Sequence, residues 1–115
     1  MIKWNEKQYH CPVEVSMDLL SGKWKCLMLW HLNEGTKRYR ELERIVPDVS
    51  QKMLTQQLKE LERDGLVKRT VHPEVPPRVE YSLTELGRAA FPILKMMHIW
   101  AVERLGIDVP EEHQD

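Results

Sequence analysis

A mainly α-helical fold carrying one small β-hairpin is predicted from three stretches of the chain. Ser50–Gly65, SQKMLTQQLKELERDG, reads as an amphipathic helix with its own start and stop. Leu66–His72 and Val79–Leu83 are β-branched and partly alternating, with a proline-rich segment between them. Glu85–Leu105 is apolar around almost its whole circumference. A reading helix, a hairpin and an apolar closing helix, in that order, predict a winged helix-turn-helix that dimerises through its terminal helices.

The central helix carries the argument. Ser50 is a good N-cap, because its hydroxyl can accept from a free first-turn N–H. Gly65 suits the left-handed stop. Leu54, Gln57, Leu58 and Leu61 share one face at helical spacing. Lys52, Gln56, Lys59 and Arg63 fall opposite, with Thr55 on the flank. A helix that sits on a small core and enters a DNA groove needs these two faces. Taken alone, the same pattern also suits a solvated surface helix, so its surroundings decide.

In chain order, Met1–His10 reads as a polar arm with Trp4 and Tyr9 as anchors. Cys11-Pro12 opens a short helix, since proline at a first-turn position loses no needed N–H. Val13, Met17 and Leu20 are spaced to face inward, and Ser21-Gly22 ends the helix. Lys23–Leu32, with Trp24, Leu27, Met28 and Trp30, is apolar enough to be central. Asn33–Gly35 stops it. Thr36 is the expected cap of a third helix, with Tyr39, Leu42 and Val46 inward and Lys37, Arg40 and Arg44 outward. Pro47–Val49 is a turn leading to the central helix, so the two helices form a helix-turn-helix pair.

The hairpin that follows has Val79, Tyr81 and Leu83 on one face and Arg78 at a tip stiffened by prolines. Thr84 is expected to cap the closing helix, and Pro92 to kink or restart it. A helix apolar all round must be covered on more than one side, and the elements before it cover only one. A second copy is the expected cover, with Phe91, Leu94, Met97 and Trp100 at the interface. The expected organisation is one domain over residues 1–115. It comprises an arm and helix at 1–21, a winged core at 22–83, a dimerisation helix at 84–107 and a polar tail at 108–115.

Composition limits the function classes. The 42% hydrophobic and 30% charged content is that of a globular chain, and 115 residues suit one domain. No apolar run is long enough for a bilayer and no signal peptide opens the chain, so a cytoplasmic protein with no membrane partner is expected. The net charge of -1 does not by itself suggest nucleic acid. Thr36–Glu80 nevertheless holds ten basic against eight acidic residues, and the remainder seven against ten. The acidic excess includes Asp108, Glu111, Glu112 and Asp115. DNA affinity would therefore rest on placement rather than bulk charge. The two cysteines make no disulfide framework. The five histidines show no ligand spacing, and no CxxC, HExxH or glycine-rich phosphate loop occurs. Neither a metal, a cofactor nor an enzyme is expected.

Several motifs together resemble the HxlR family of winged-helix transcriptional regulators. They are Cys11-Pro-Val-Glu14, Gly22-Lys-Trp24, Arg38-Tyr39 with Glu41-Leu42, Ser50–Leu61, Gly65-Leu-Val67 and PPRVEYSLTELG at Pro76–Gly87. The resemblance covers about Cys11 to Trp100. It implies a homodimer on an operator of two inverted half-sites, regulating a nearby gene. It also implies a thiol sensor at Cys11, which oxidants or electrophiles would modify.

The expected DNA contacts are Lys52, Gln56 and Lys59 in the groove with Gln51 and Thr55 beside them. Gln can pair with an adenine edge and Lys can donate to guanine. Ser50 and the first free N–H groups of that helix suit a phosphate. Lys37, Arg40 and Arg44 would meet backbone, and Arg78 phosphate or the adjacent minor groove. Cys11 lies at a helix start, where the dipole favours a thiolate, with His10 next to it. On position alone it is either a reactive thiolate or an inert thiol; the resemblance favours the sensor. Cys26 reads as packing. A small ligand at the dimer interface is a second candidate inducer. Two other function classes fit parts of the chain: a winged-helix protein-interaction module without DNA readout, and a thiol peroxidase.

Overall fold

The computed structural model describes residues 1–110; the tail beyond, with His113, lies outside the described residues. The chain opens as a tight hairpin, β1 (Ile2–Trp4) and β2 (Lys7–Tyr9), where an arm was expected. Its turn needs positive φ at Asn5 and Glu6, 50° and 67°. Asn tolerates this region well and Glu less so, which hides the turn from a sequence pattern. Tyr9 supplies the expected anchor: it is buried, and its hydroxyl donates to Asp18 at 2.7 Å. Trp4 stays partly exposed.

Helix α1 (Pro12–Leu20) has Cys11 at its N-cap and proline in its first turn. Its inward face is a correction to the sequence reading. Val13 and Met17 are 64% and 61% exposed, and only Leu20 packs against the core. Helix α2 (Lys25–Leu32) is central as expected, with Met28, Leu29 and Leu32 buried. It also buries Lys25, which periodicity alone does not reveal.

Lys37–Arg38 forms a short strand, β3, and not the first turn of a helix. Helix α3 (Tyr39–Ile45) starts after it, with Arg38 and not Thr36 at the N-cap. The Glu41 carboxylate accepts from the Arg38 backbone N–H at 2.9 Å, an i,i+3 closure of the first turn. Leu42 and Val46 are buried as expected.

Helix α4 (Gln51–Arg63) follows its sequence pattern throughout. The Ser50 hydroxyl accepts from the Met53 N–H at 3.1 Å. Gly65 turns the chain out at φ +80°. Leu54, Gln57, Leu58 and Leu61 are buried, and Lys52, Gln56, Lys59 and Arg63 are exposed. Each fully withdrawn leucine contributes about 1.5–3 kcal/mol of transfer free energy, and Leu54, Leu58 and Leu61 are all essentially inaccessible.

Strands β4 (Val67–His72) and β5 (Arg78–Leu83) make the hairpin, and β3 joins β5 to give a three-stranded antiparallel sheet of order β3-β5-β4. Tyr81 and Leu83 face the core. The closing segment is split, as Pro92 foretells, into α5 (Glu85–Ala89) and α6 (Phe91–Leu105). Thr84 caps α5 by accepting from Gly87 N–H at 3.0 Å, and its hydroxyl donates to the Gly65 carbonyl at 2.5 Å. A Cβ at Gly87 would overlap the Leu66 carbonyl, so only glycine lets α5 sit this close to the start of β4.

Among the described residues no helix is long and apolar enough to cross a membrane. Leu94 is a second correction: it is 5% exposed and belongs to its own protomer's core. Phe91 is half-buried against Trp30, with ring centroids 5.3 Å apart. Ile93, Met96, Met97 and Trp100 are exposed, 48–62%.

Candidate nucleic-acid interface

The solvent face of α4 is built by what lies beneath it. The leucine stripe fixes the helix on the core, and two polar ties fix its rotation. At one end the Tyr39 hydroxyl lies 3.2 Å from both the Gln51 carbonyl, to which it donates, and the Thr55 hydroxyl. Further along, the buried Lys25 ammonium of α2 donates to Glu60 at 2.6 Å. The Lys25 hydrogen bond holds the Glu60 carboxyl below its ordinary range, against the opposing effect of desolvation. The second Glu60 oxygen accepts from Gln56 at 3.3 Å.

The outward side chains differ in how free they are. Lys52 and Lys59 are exposed and have no ion-pair partner among the described residues; the same is true of Arg40 and Arg44 on α3. Gln51 is exposed but donates to Glu43 at 3.1 Å. Thr55 is half-buried and shares its hydroxyl with Tyr39. Arg63 leans on Asp64, at 3.2 and 3.4 Å. A shallow concavity of about 810 Å³ runs along this face, lined by Tyr39, Lys52, Thr55, Gln56, Lys59 and Arg63 among others.

Two expected contacts sit elsewhere. Lys37 is half-buried in β3, opposite Tyr81, so it is part of the sheet and not of an exposed helix face. Arg78 is the first residue of β5, opposite His72, and not the wing tip. Its guanidinium folds back to Glu74 at 3.1 Å. The tip itself is Pro73–Pro77, where Val75 is fully exposed. The sequence reading missed Lys68 and Arg69, both exposed on β4. The signal is there, as two adjacent cations in the strand segment that follows Gly65.

Cys11 is exposed at the start of α1. His10 does not face it: the His10 backbone N–H and ring both meet Glu14, at 2.6 and 2.9 Å. Cys26 is half-buried, donates to the Leu20 carbonyl at 3.3 Å, and burial pushes its thiol up, as expected of a packing residue. It lines an apolar hollow of about 340 Å³ with Val13, Met17, Leu20, Ile93 and Met97. Among the described residues no cluster of His, Cys, Asp or Glu could hold a metal ion.

A cation-bearing helix held beside a β-wing is the DNA-reading arrangement of a winged helix-turn-helix transcriptional regulator. The family model described as HxlR-like helix-turn-helix matches residues 19–108, and the chain belongs to that family. It is 48% identical over 100 residues to the uncharacterized HTH-type transcriptional regulator YtcD of Bacillus subtilis, covering 87% of this chain and 79% of that one. An uncharacterized HTH-type regulator of Methanothermobacter thermautotrophicus is 48% identical over 95 residues, covering 83% and 72%. Among solved structures, the redox regulator HypR in its oxidized form superposes with a TM-score of 0.78 at 49% identity, over 86% of this chain and 100% of that one. The diamide-treated regulator YodB from B. subtilis gives 0.70 at 41% identity, over 82% and 94%.

The Lys25–Glu60 tie has a testable pH signature. A carboxyl with a depressed folded pKa stabilises the fold above its unfolded value, here 4.5, and that contribution is lost as pH falls through the folded value. The stability of the wild type to urea is expected to fall below pH 4.5, and Glu60→Gln to flatten that dependence. At neutral pH, Glu60→Leu leaves the buried ammonium unpaired and is expected to cost on the order of 3 kcal/mol.

Proposed function

We propose that the protein is a homodimeric repressor or activator that reads an operator through Lys52, Gln56 and Lys59 of α4 and is switched by modification of the Cys11 thiol. The observation that carries the DNA reading is the exposure of these three side chains on a helix whose opposite face is wholly committed to the core. Gln56 suits an adenine edge and the lysines suit guanine or phosphate. Gln51 and Thr55 line the same face, Ser50 and the first α4 N–H groups begin it, and Arg40 and Arg44 are exposed on the preceding helix α3, where they would meet backbone. A pure protein-docking module would not need unpaired cations there, and the family to which the chain belongs consists of regulators. In this reading the protein works in the cytoplasm, by binding and not by turnover.

The dimer reading rests on the apolar surface that one protomer leaves uncovered. Val13 and Met17 of α1 adjoin Ile93 and Met97 of α6 around one hollow, and Met96 and Trp100 are exposed on the same helix. Scattered exposed apolar residues are ordinary, but a contiguous set on two helices marks an interaction surface. Met97 and Trp100 remain interface residues in this reading, whereas Leu94 does not and Phe91 is a border residue.

The thiol reading rests on the exposure of Cys11 at the start of α1, the helix that carries Val13 and Met17 of that apolar surface. HypR is named a redox regulator in its oxidized form and one YodB structure is of the diamide-treated protein, which supports a redox-based switch in this chain. A modified Cys11 would alter how α1 meets its partner and so the spacing of the two α4 helices.

Light scattering at micromolar concentration is expected to give twice the 13.7 kDa chain mass; a monomer would contradict the dimer. Gel shifts on DNA upstream of its own and neighbouring genes are expected to show a specific complex. Simultaneous Lys52→Ala, Gln56→Ala and Lys59→Ala should abolish its discrimination, and retained specific binding removes α4 as the reader. With about eight phosphates neutralised, log K should fall against log salt with a slope near -7. Diamide is expected to change the affinity of the wild type and leave Cys11→Ser unaffected; equal responses take Cys11 out of the switch.

A further inference from the structure

The exposed ridge of α4 has a concave surface on each side. One is the concavity already described, about 810 Å³. The other, about 710 Å³, lies towards the sheet and is lined by Thr55, Lys59, Glu62, Arg63, Arg69 and Tyr81. Thr55, Lys59 and Arg63 border both, so they form the crest between them. A helix lying in a major groove is flanked by two sugar–phosphate walls, one on each side of the groove. We infer that the sheet-side cleft is the seat of one of these walls and that Arg69 of β4 is its phosphate anchor. This inference rests on α4 being the reading helix.

Charge and geometry select Arg69. Of the three cations bordering the cleft, Arg63 is already engaged by Asp64. Lys59 stands on the crest and serves the groove floor. Arg69 is exposed and has no ion-pair partner among the described residues. Its neighbours across the sheet cannot neutralise it. Arg69 stands opposite Tyr81, whereas Glu80 stands opposite Thr70, on the other face, and is taken by His72 at 2.5 Å. Among the described residues Glu62 is the one carboxylate bordering the cleft, and it works against an anion there.

The support beneath Arg69 is rigid. It lies within β4, a strand paired from Val67–Leu83 to His72–Arg78. A side chain on a paired strand loses less freedom on binding than one on a loop. The planar guanidinium presents two parallel N–H donors that match two phosphate oxygens. Such a contact positions the duplex and carries no sequence information.

The test uses the full-length protein and two duplexes of equal length: an upstream fragment that the wild type shifts, and a scrambled one. Affinity is measured by fluorescence anisotropy over a series of KCl concentrations. Arg69→Gln is expected to weaken binding to both duplexes alike and to make the salt slope shallower by about two for a dimer, roughly 0.9 per phosphate. Arg69→Lys should restore the slope, and Glu62→Gln should tighten both complexes. Unchanged affinity and slope in Arg69→Gln, with an unchanged melting curve, would overturn the inference. So would a loss confined to one base pair in a panel of substituted fragments, because that is base reading. If the triple α4 variant loses discrimination while Arg69→Gln is silent, only the anchor fails. If the triple variant still discriminates, the reading helix itself is wrong.

Discussion

Leu54, Leu58 and Leu61 run along one line of α4 and are withdrawn from solvent to the last few per cent. They pack with Met28, Leu29, Leu32, Leu42, Val46, Leu66 and Val67 in a single cluster. That contact decides the orientation of everything on the opposite side of the helix. Rotating α4 by one residue would place Thr55 or Lys59 in the core, at a cost in desolvation that no local hydrogen bond could offset. The buried Lys25–Glu60 pair reinforces the choice, because turning α4 would pull Glu60 away from the Lys25 ammonium 2.6 Å from it. Lys52, Gln56 and Lys59 are thus held outward by the buried residues beneath them.

The same economy of space explains the rest of the surface. The core of one protomer is used up by α2, α3, α4, the sheet and two positions of the closing helices, Ala90 and Leu94. Ile93, Met96, Met97 and Trp100 of α6 stay exposed, as do Val13 and Met17 of α1. In a chain this short the unburied remainder is large relative to the core. A second copy of the same surface is the simplest complement, since a two-fold axis makes one patch serve both sides. In the proposed reading, α1 carries the thiol that is modified, and the buried Lys25–Glu60 pair ties α2 to α4.

Where periodicity was long, the sequence was read correctly. Helix α4 spans more than three turns with a strict division of faces, a serine at one end and a glycine at the other. The hairpin was legible for the same reason, and Pro92 and Thr84 marked the break between α5 and α6 and the start of α5. Short elements misled. Strand β3 is two residues long and exists only because β5 lies beside it, so Lys37 joined a sheet instead of a helix and Arg38 took the cap expected of Thr36. The N-terminal hairpin turns through Asn5 and Glu6, and the glutamate at positive φ masks the turn signal of the asparagine. Arg78 lies opposite His72 and folds onto Glu74, which the linear distance from the prolines does not show. Leu94 and Met97 are three residues apart on one apolar helix, yet one is buried and the other is exposed.

The amino-acid sequence by itself determined which helix has two faces, where it begins and ends, and that a rigid hairpin follows it. These are local properties, set by the helical and strand repeats, capping groups and proline geometry within a few residues. Only the tertiary structure decided which apolar side chains are left over, which cations are already neutralised, and that Arg69 stands beside Lys59 and Arg63. Those facts depend on how much core volume remote elements fill and on contacts between residues far apart in the chain, and no repeat within a single segment encodes them.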